Sequence, residues 1–87
     1  VAMKFKVGDW VKVFKPIPEG IGLLKKGMVG KIVGKIIIID DTYVGVEFTE
    51  HINGHSCGGK GKIGYCWWLL ECEIKKITKK EAIVHAL

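Results

Sequence analysis

Arginine is absent: all fourteen basic residues of this 87-residue chain are lysines. The planar guanidinium fork is what grips phosphates bidentately and reads guanine edges, so sequence-specific DNA reading is not expected. Proline is scarce, and its two residues both fall in Pro16-Ile-Pro18, which with Gly20 and Gly22 marks residues 16–22 as a loop. Long apolar runs are missing. The longest, Tyr65-Cys-Trp-Trp-Leu-Leu70, is far short of the roughly 20 residues that a membrane helix needs. Val1-Ala-Met-Lys-Phe-Lys6 lacks the apolar stretch of a secretory signal, so no membrane partner and a cytoplasmic location are expected. Cysteine is limited to Cys57, Cys66 and Cys72, an odd set that suits reduced thiols. A Ser-His-Asp set, a phosphate loop with Gly-Lys-Ser/Thr and a carboxylate dyad are all missing. The nearest approach to catalytic machinery is His55 as a base beside Cys57 or Cys66, and the chain is expected not to be an enzyme.

What is abundant is isoleucine, other β-branched residues and glycine, twelve of the last. That composition favours a β protein with glycine-supported turns, and the length suits one domain without a second core. The net charge of +5 is unevenly spread: residues 75–87 hold four lysines and one glutamate, residues 1–74 ten lysines and eight acids. The body is thus nearly balanced, unlike the basic stripe that nucleic-acid-binding domains usually carry.

Along the chain, Trp10–Lys15 alternates as a strand, with Val11 and Val13 on one face and Trp10, Lys12 and Phe14 on the other. Gly27–Ile39 reads as a long strand in which Gly30 and Gly34 are candidate bends or bulges. Asp40-Asp-Thr42 reads as a tight turn, and Tyr43–Phe48 as the return strand with Val44, Val46 and Phe48 inward. Residues 49–63 form a long glycine-rich loop, the kind of segment that often carries function in a small domain. Tyr65–Leu70 is an apolar strand, Glu71–Glu73 a single 3₁₀ turn and Ile74–Ile77 a brief last strand. Thr78-Lys-Lys-Glu81 has capping-box spacing and predicts a short helix over 79–87 with Ile83 and Leu87 on one face. The expected organisation is a strongly bent barrel of about five strands over residues 1–77 and a helical tail over 78–87.

Gly8-Asp-Trp-Val-Lys-Val13 followed by Gly27-Met-Val-Gly-Lys-Ile-Val33 resembles the opening of SH3-like barrels, including bacterial SH3-type and KOW-containing modules. Val46-Glu-Phe48, Gly54-His-Ser-Cys57, Gly58-Gly-Lys-Gly61 and Gly64-Tyr-Cys-Trp-Trp68 resemble the small YorP-type SH3-like proteins of Bacillus prophage and phage-like elements, over roughly residues 5–77. That resemblance implies an all-β SH3-like fold and a mobile-element context, with no established activity. Tyr65 stands where such proteins often show a second His before Cys-Trp, a departure that counts against a four-ligand metal site.

Three constellations are candidates for function. His51, His55, Cys57 and Cys66 carry imidazole and thiolate donors of the type zinc takes, in a spacing that matches no recognised ligand framework. The other readings are thiol packing with loop-organising hydrogen bonds, or a Cys57–Cys66 disulfide; no cofactor is expected, with structural zinc as the alternative. Trp10, Tyr43, His55, Trp67 and Trp68 are the expected partner-binding surface. Alternation puts Trp67 and Trp68 on opposite faces, the outward one either lining an aromatic groove or lying under the tail helix. Lys60 and Lys62, flanked by glycines, are candidate phosphate contacts through side chains and free backbone N–H groups. The expected function is a non-catalytic module that binds a protein partner through the aromatic groove, as monomer or homodimer. The alternative is nucleic-acid binding at Lys60 and Lys62.

Overall fold

A computed structural model describes residues 5–14 and 24–86, excluding the side chains of His85 and Ala86. The strands are β1 (Trp10–Val13), β2 (Val29–Ile38), β3 (Asp41–Phe48), β4 (Cys66–Leu70) and β5 (Ile74–Ile77), with a 3₁₀ turn at Glu71–Glu73 and a helix α1 at Lys79–Ala86. All pairings are antiparallel, and they make one sheet in the order β4-β3-β2-β1-β5. This meander, in which the last strand returns beside the first after a 3₁₀ turn, is the all-β order expected of an SH3-like barrel. The Pro16–Gly22 loop and Leu87 lie outside the described residues.

Alternation builds the core. Val11 and Val13 from β1, Val44, Val46 and Phe48 from β3, and Leu69 from β4 are all buried against Phe5, Ile32 and Ile74. The 3₁₀ turn is held by Glu73, whose carboxylate accepts the Leu70 N–H at 2.9 Å. Gly30 pairs regularly with Phe48 and Val11, so it is no bulge, whereas the β2–β3 register does slip between Ile32 and Gly34.

The strand pairing corrects the expected Asp40-Asp-Thr42 turn. With Ile38 opposite Asp41 and Ile37 opposite Thr42, the turn is Ile39-Asp40, and Asp41 and Thr42 belong to β3. Residue composition favoured the aspartates, but strand register decided. Ile39 therefore takes φ 58° while 89% exposed. A β-branched residue in the left-handed region costs about 1–2 kcal/mol, and an 89% exposed side chain gains little burial to offset it. Ile39→Gly is expected to raise stability in dilute solution by about 0.5–1 kcal/mol once glycine's entropy is counted, a gain measurable by urea unfolding.

The tail follows a second correction. The Thr78 hydroxyl accepts the Glu81 N–H at 3.1 Å, the expected cap. The helix then docks through Ala82, buried with Val29 and Ile77 beside Trp10, and Ile83 is 52% exposed. Because α1 starts directly after β5, the residue one turn beyond the cap faces back onto the sheet. The helix thus lies at β1 and β2, not over Trp67 or Trp68.

Candidate functional site

The loop of residues 49–65 is fastened to the sheet from both sides. Ile52 is fully buried in the core, worth about 1.5–3 kcal/mol relative to exposure. His55 forms an antiparallel bridge with Cys66: its N–H donates to the Cys66 carbonyl at 2.9 Å and its carbonyl accepts the Cys66 N–H at 3.0 Å. The backbone at Gly54 runs so close to Cys66 that a β-carbon there would collide with the Cys66 carbonyl oxygen.

Within this loop the histidines organise backbone. His55 Nδ1 accepts the Cys57 N–H at 2.9 Å, and its ring lies 4.9 Å from that of Trp67. His51 Nδ1 accepts the Asn53 N–H at 3.3 Å, and its ring meets Tyr65 edge-on at 5.2 Å. Cys57 and Cys66 are free thiols with no solvent exposure. Burial pushes the Cys57 thiol up to about 12, with Cys66 beside it adding to the effect, and burial also raises Cys66, helped by the Glu47 carboxylate. Cys66 Sγ donates to the Lys62 carbonyl at 3.4 Å. Among the described residues no three His, Cys, Asp or Glu side chains are grouped to hold a metal ion, so His51, His55, Cys57 and Cys66 do not form a ligand set.

The aromatic candidates are placed in separate locations. Trp67 packs against the core beside Val46, its cross-strand partner. Trp68 lies on the opposite face, over Gly45, where a β-carbon would come within 2.9 Å of both its ring and Cys57 Sγ. Tyr43 sits further along β3, opposite Leu70 and Ile36. Trp10 stands on β1, half-buried over Val29, Ile77 and Ala82. By cross-strand pairing it is three strands, about 14 Å, from the row position of Cys66. The five residues Trp10, Tyr43, His55, Trp67 and Trp68 therefore do not line one groove.

Lys60 and Lys62 are exposed at the loop tip, but its backbone does not offer a phosphate cradle. The N–H groups of Gly59 and Gly61 bond to Ser56, that of Lys60 to the Cys57 carbonyl, and that of Lys62 to Glu47 Oε2 at 2.7 Å. The stem of Lys60 crosses Gly34, and Lys62 Nζ sits 4.6 Å over the Tyr65 ring.

A concave site of mixed aromatic and basic character lies at Trp10. Cross-strand pairing aligns Ile77, Trp10 and Lys31 in one row over β5, β1 and β2. Lys31 Nζ is 5.8 Å from the Trp10 ring centroid, and Lys76 pairs with Asp9 at 3.5 Å. With Gly8 and Lys79 these residues enclose a groove of about 610 Å³. A second groove of about 440 Å³ shares Lys76 and runs beside Phe14, which is half exposed with Lys75 Nζ 5.8 Å from its ring. Sequence reasoning singled out Trp10 but missed Lys31, Lys76 and Lys79, because their meeting depends on pairings between distant segments. No protein-family model matches the chain, and neither the curated proteins nor the solved structures contain a match to it.

Proposed function

We propose that the protein is a non-catalytic binding module whose partner is a protein segment rich in acidic side chains, held in the Trp10 groove. The observation that carries this reading is the row Ile77, Trp10, Lys31, which sets a half-buried indole beside a cation on three hydrogen-bonded strands. The indole offers a large apolar contact with few rotamers to freeze, and Lys31 and Lys79 beside it attract carboxylates. Lys76 is already balanced by Asp9. Catalysis finds no support in the thiols, since Cys57 and Cys66 are buried and held in the neutral form, and His55 Nδ1 is engaged by backbone. The reading includes a reducing, cytoplasmic setting, to which three free thiols are suited, and the phage or mobile-element context implied by the YorP-type resemblance.

Titration with a Glu-rich peptide, followed by tryptophan fluorescence or calorimetry, tests the groove. Trp10→Ala is expected to weaken binding by about 30-fold or more, the loss typical of a central anchor, while far-UV circular dichroism stays unchanged. Equal binding by wild type and variant would remove the groove from the function. Nucleic acid is the second reading, favoured by Lys62 over Tyr65, a cation and a ring together at an exposed loop. It requires a steep loss of oligonucleotide affinity with salt that Lys60 and Lys62 substitutions reduce.

A further inference from the structure

The most anomalous surface is remote from the Trp10 groove. Ile37, Ile38 and Ile39 are 71%, 50% and 89% exposed at the end of the β2–β3 hairpin, and Ile36 beside them is only half-buried. Successive strand residues point to opposite faces, so this run makes both faces of the hairpin end apolar. Its backbone is open as well. β1 pairs with β2 only at Val29–Lys31, with Ile32 bonding to Gly8 and Asp9. Beyond Ile32 the side of β2 facing away from β3 has no ladder among the described residues. An antiparallel strand directs alternate N–H and C=O groups away from its one neighbour, so among the described residues, residues 33–38 present an edge with no strand partner. Such edges are normally blunted by charge, proline or cover. Here three isoleucines, Ile36 to Ile38, occupy it, and a fourth, Ile39, follows in the turn at a backbone angle that glycine would tolerate better.

The charges at the ends of the run indicate the occupant. Lys35 precedes the isoleucines, and Asp40 and Asp41 follow them. Two copies laid antiparallel edge to edge bring each Lys35 up to the Ile39-Asp40 turn of the other copy, with Asp40 the acid nearest it and Asp41 behind it at the start of β3; a parallel arrangement would oppose like charges. The sequence of this edge is therefore complementary to itself under a two-fold axis near Ile37. Such an isologous contact closes on itself, the β2 edge of each copy being covered by that of the other. We propose that the protein forms a homodimer through antiparallel pairing of the Lys35–Ile38 edge of β2, burying the exposed isoleucines of both hairpins.

Sedimentation velocity over a wide concentration range tests this. The wild type is expected to shift from monomer to dimer as concentration rises and to stop there. Ile37→Lys replaces an exposed side chain opposite Thr42 and is expected to keep the fold while abolishing the shift. Lys35→Asp is expected to abolish it too, and Lys35→Asp combined with Asp40→Lys and Asp41→Lys to restore it. A wild type that stays monomeric throughout overturns the proposal and leaves the edge to a strand of another protein. A dimer indifferent to Ile37→Lys overturns it by placing the contact elsewhere, growth beyond the dimer overturns two-fold closure, and failure of the charge exchange overturns the antiparallel register.

Discussion

Gly54→Ala is expected to cost about 3 kcal/mol and to lower the melting temperature by about 12–24 °C. The added methyl would meet the carbonyl oxygen of Cys66, with the Ile52 side chain 3.1 Å away on another side. Neither obstacle is the loose end of a flexible side chain: Cys66 begins β4, and Ile52 is sealed in the core. Relief requires the loop to lift from β4. That movement lengthens the two bonds of the His55–Cys66 bridge and the bond from the Gly54 N–H to the Gly64 carbonyl, now 3.1 Å. Lifting the loop also loosens Ile52 and bares Cys57, so the effects are coupled and the loss should exceed that of a simple overpacked contact. Thermal unfolding followed by tryptophan emission reads it directly, because His55 lies on Trp67 and Cys57 beside Trp68. Lys60→Ala in the same loop serves as the comparison and should change stability by no more than about 0.5 kcal/mol. A Gly54→Ala protein melting within a few degrees of the wild type would mean that the loop is not fastened to β4.

The same loop shows how far the sequence could be read. Local alternation identified Val11, Val13, Val44, Val46 and Phe48 as inward residues, because a period of two needs no knowledge of partners. The 3₁₀ turn and the Thr78 cap were equally local signals. What could not be read was whatever depends on register. The turn lies at Ile39-Asp40 because β3 already pairs with β2 from Asp41 onward, and no composition rule places that register to the residue. The tail helix was expected to use Ile83 and instead docks by Ala82, a consequence of where β5 ends. For the site, the histidines and cysteines of the loop were visible as residue types, but their directions were not. Imidazole and thiol donors spaced along a loop are compatible with a metal site and with backbone capping alike, and the sequence does not show that Nδ1 of His51 and of His55 each accepts a backbone N–H. Lys31 carries no local signal that sets it apart from the other strand lysines; only its pairing with Trp10 gives it a ring to sit beside.

Alkaline titration should unfold this protein through its thiols. Cys57 is raised from the usual 9.0 to about 12, chiefly by burial, and Cys66 is raised in the same direction. A thiol held neutral in the folded state and free to ionise in the unfolded state binds more protons when folded, so stability must fall as pH rises between the two values. The contribution is complete below about pH 9 and is lost on the way to about 12, at up to about 1.4 kcal/mol per pH unit for each such thiol. Against a total stability of about 5–15 kcal/mol for a small domain, that is a large fraction. Lysine deprotonation contributes in the same range, so the comparison that isolates the effect is wild type against Cys57→Ala. The difference in unfolding free energy between the two should change steadily above pH 9 and stay constant below it. A chemical readout accompanies the thermodynamic one. A thiol-specific reagent at about pH 8 should titrate Cys72 alone in the native protein and all three cysteines after denaturation, since thiolate availability governs the reaction. Rapid reaction of Cys57 in the native protein would contradict both its burial and its raised proton affinity. It would also reopen the loop as a site of thiol chemistry, because a reactive Cys57 beside Cys66 needs a loop that leaves β4 readily.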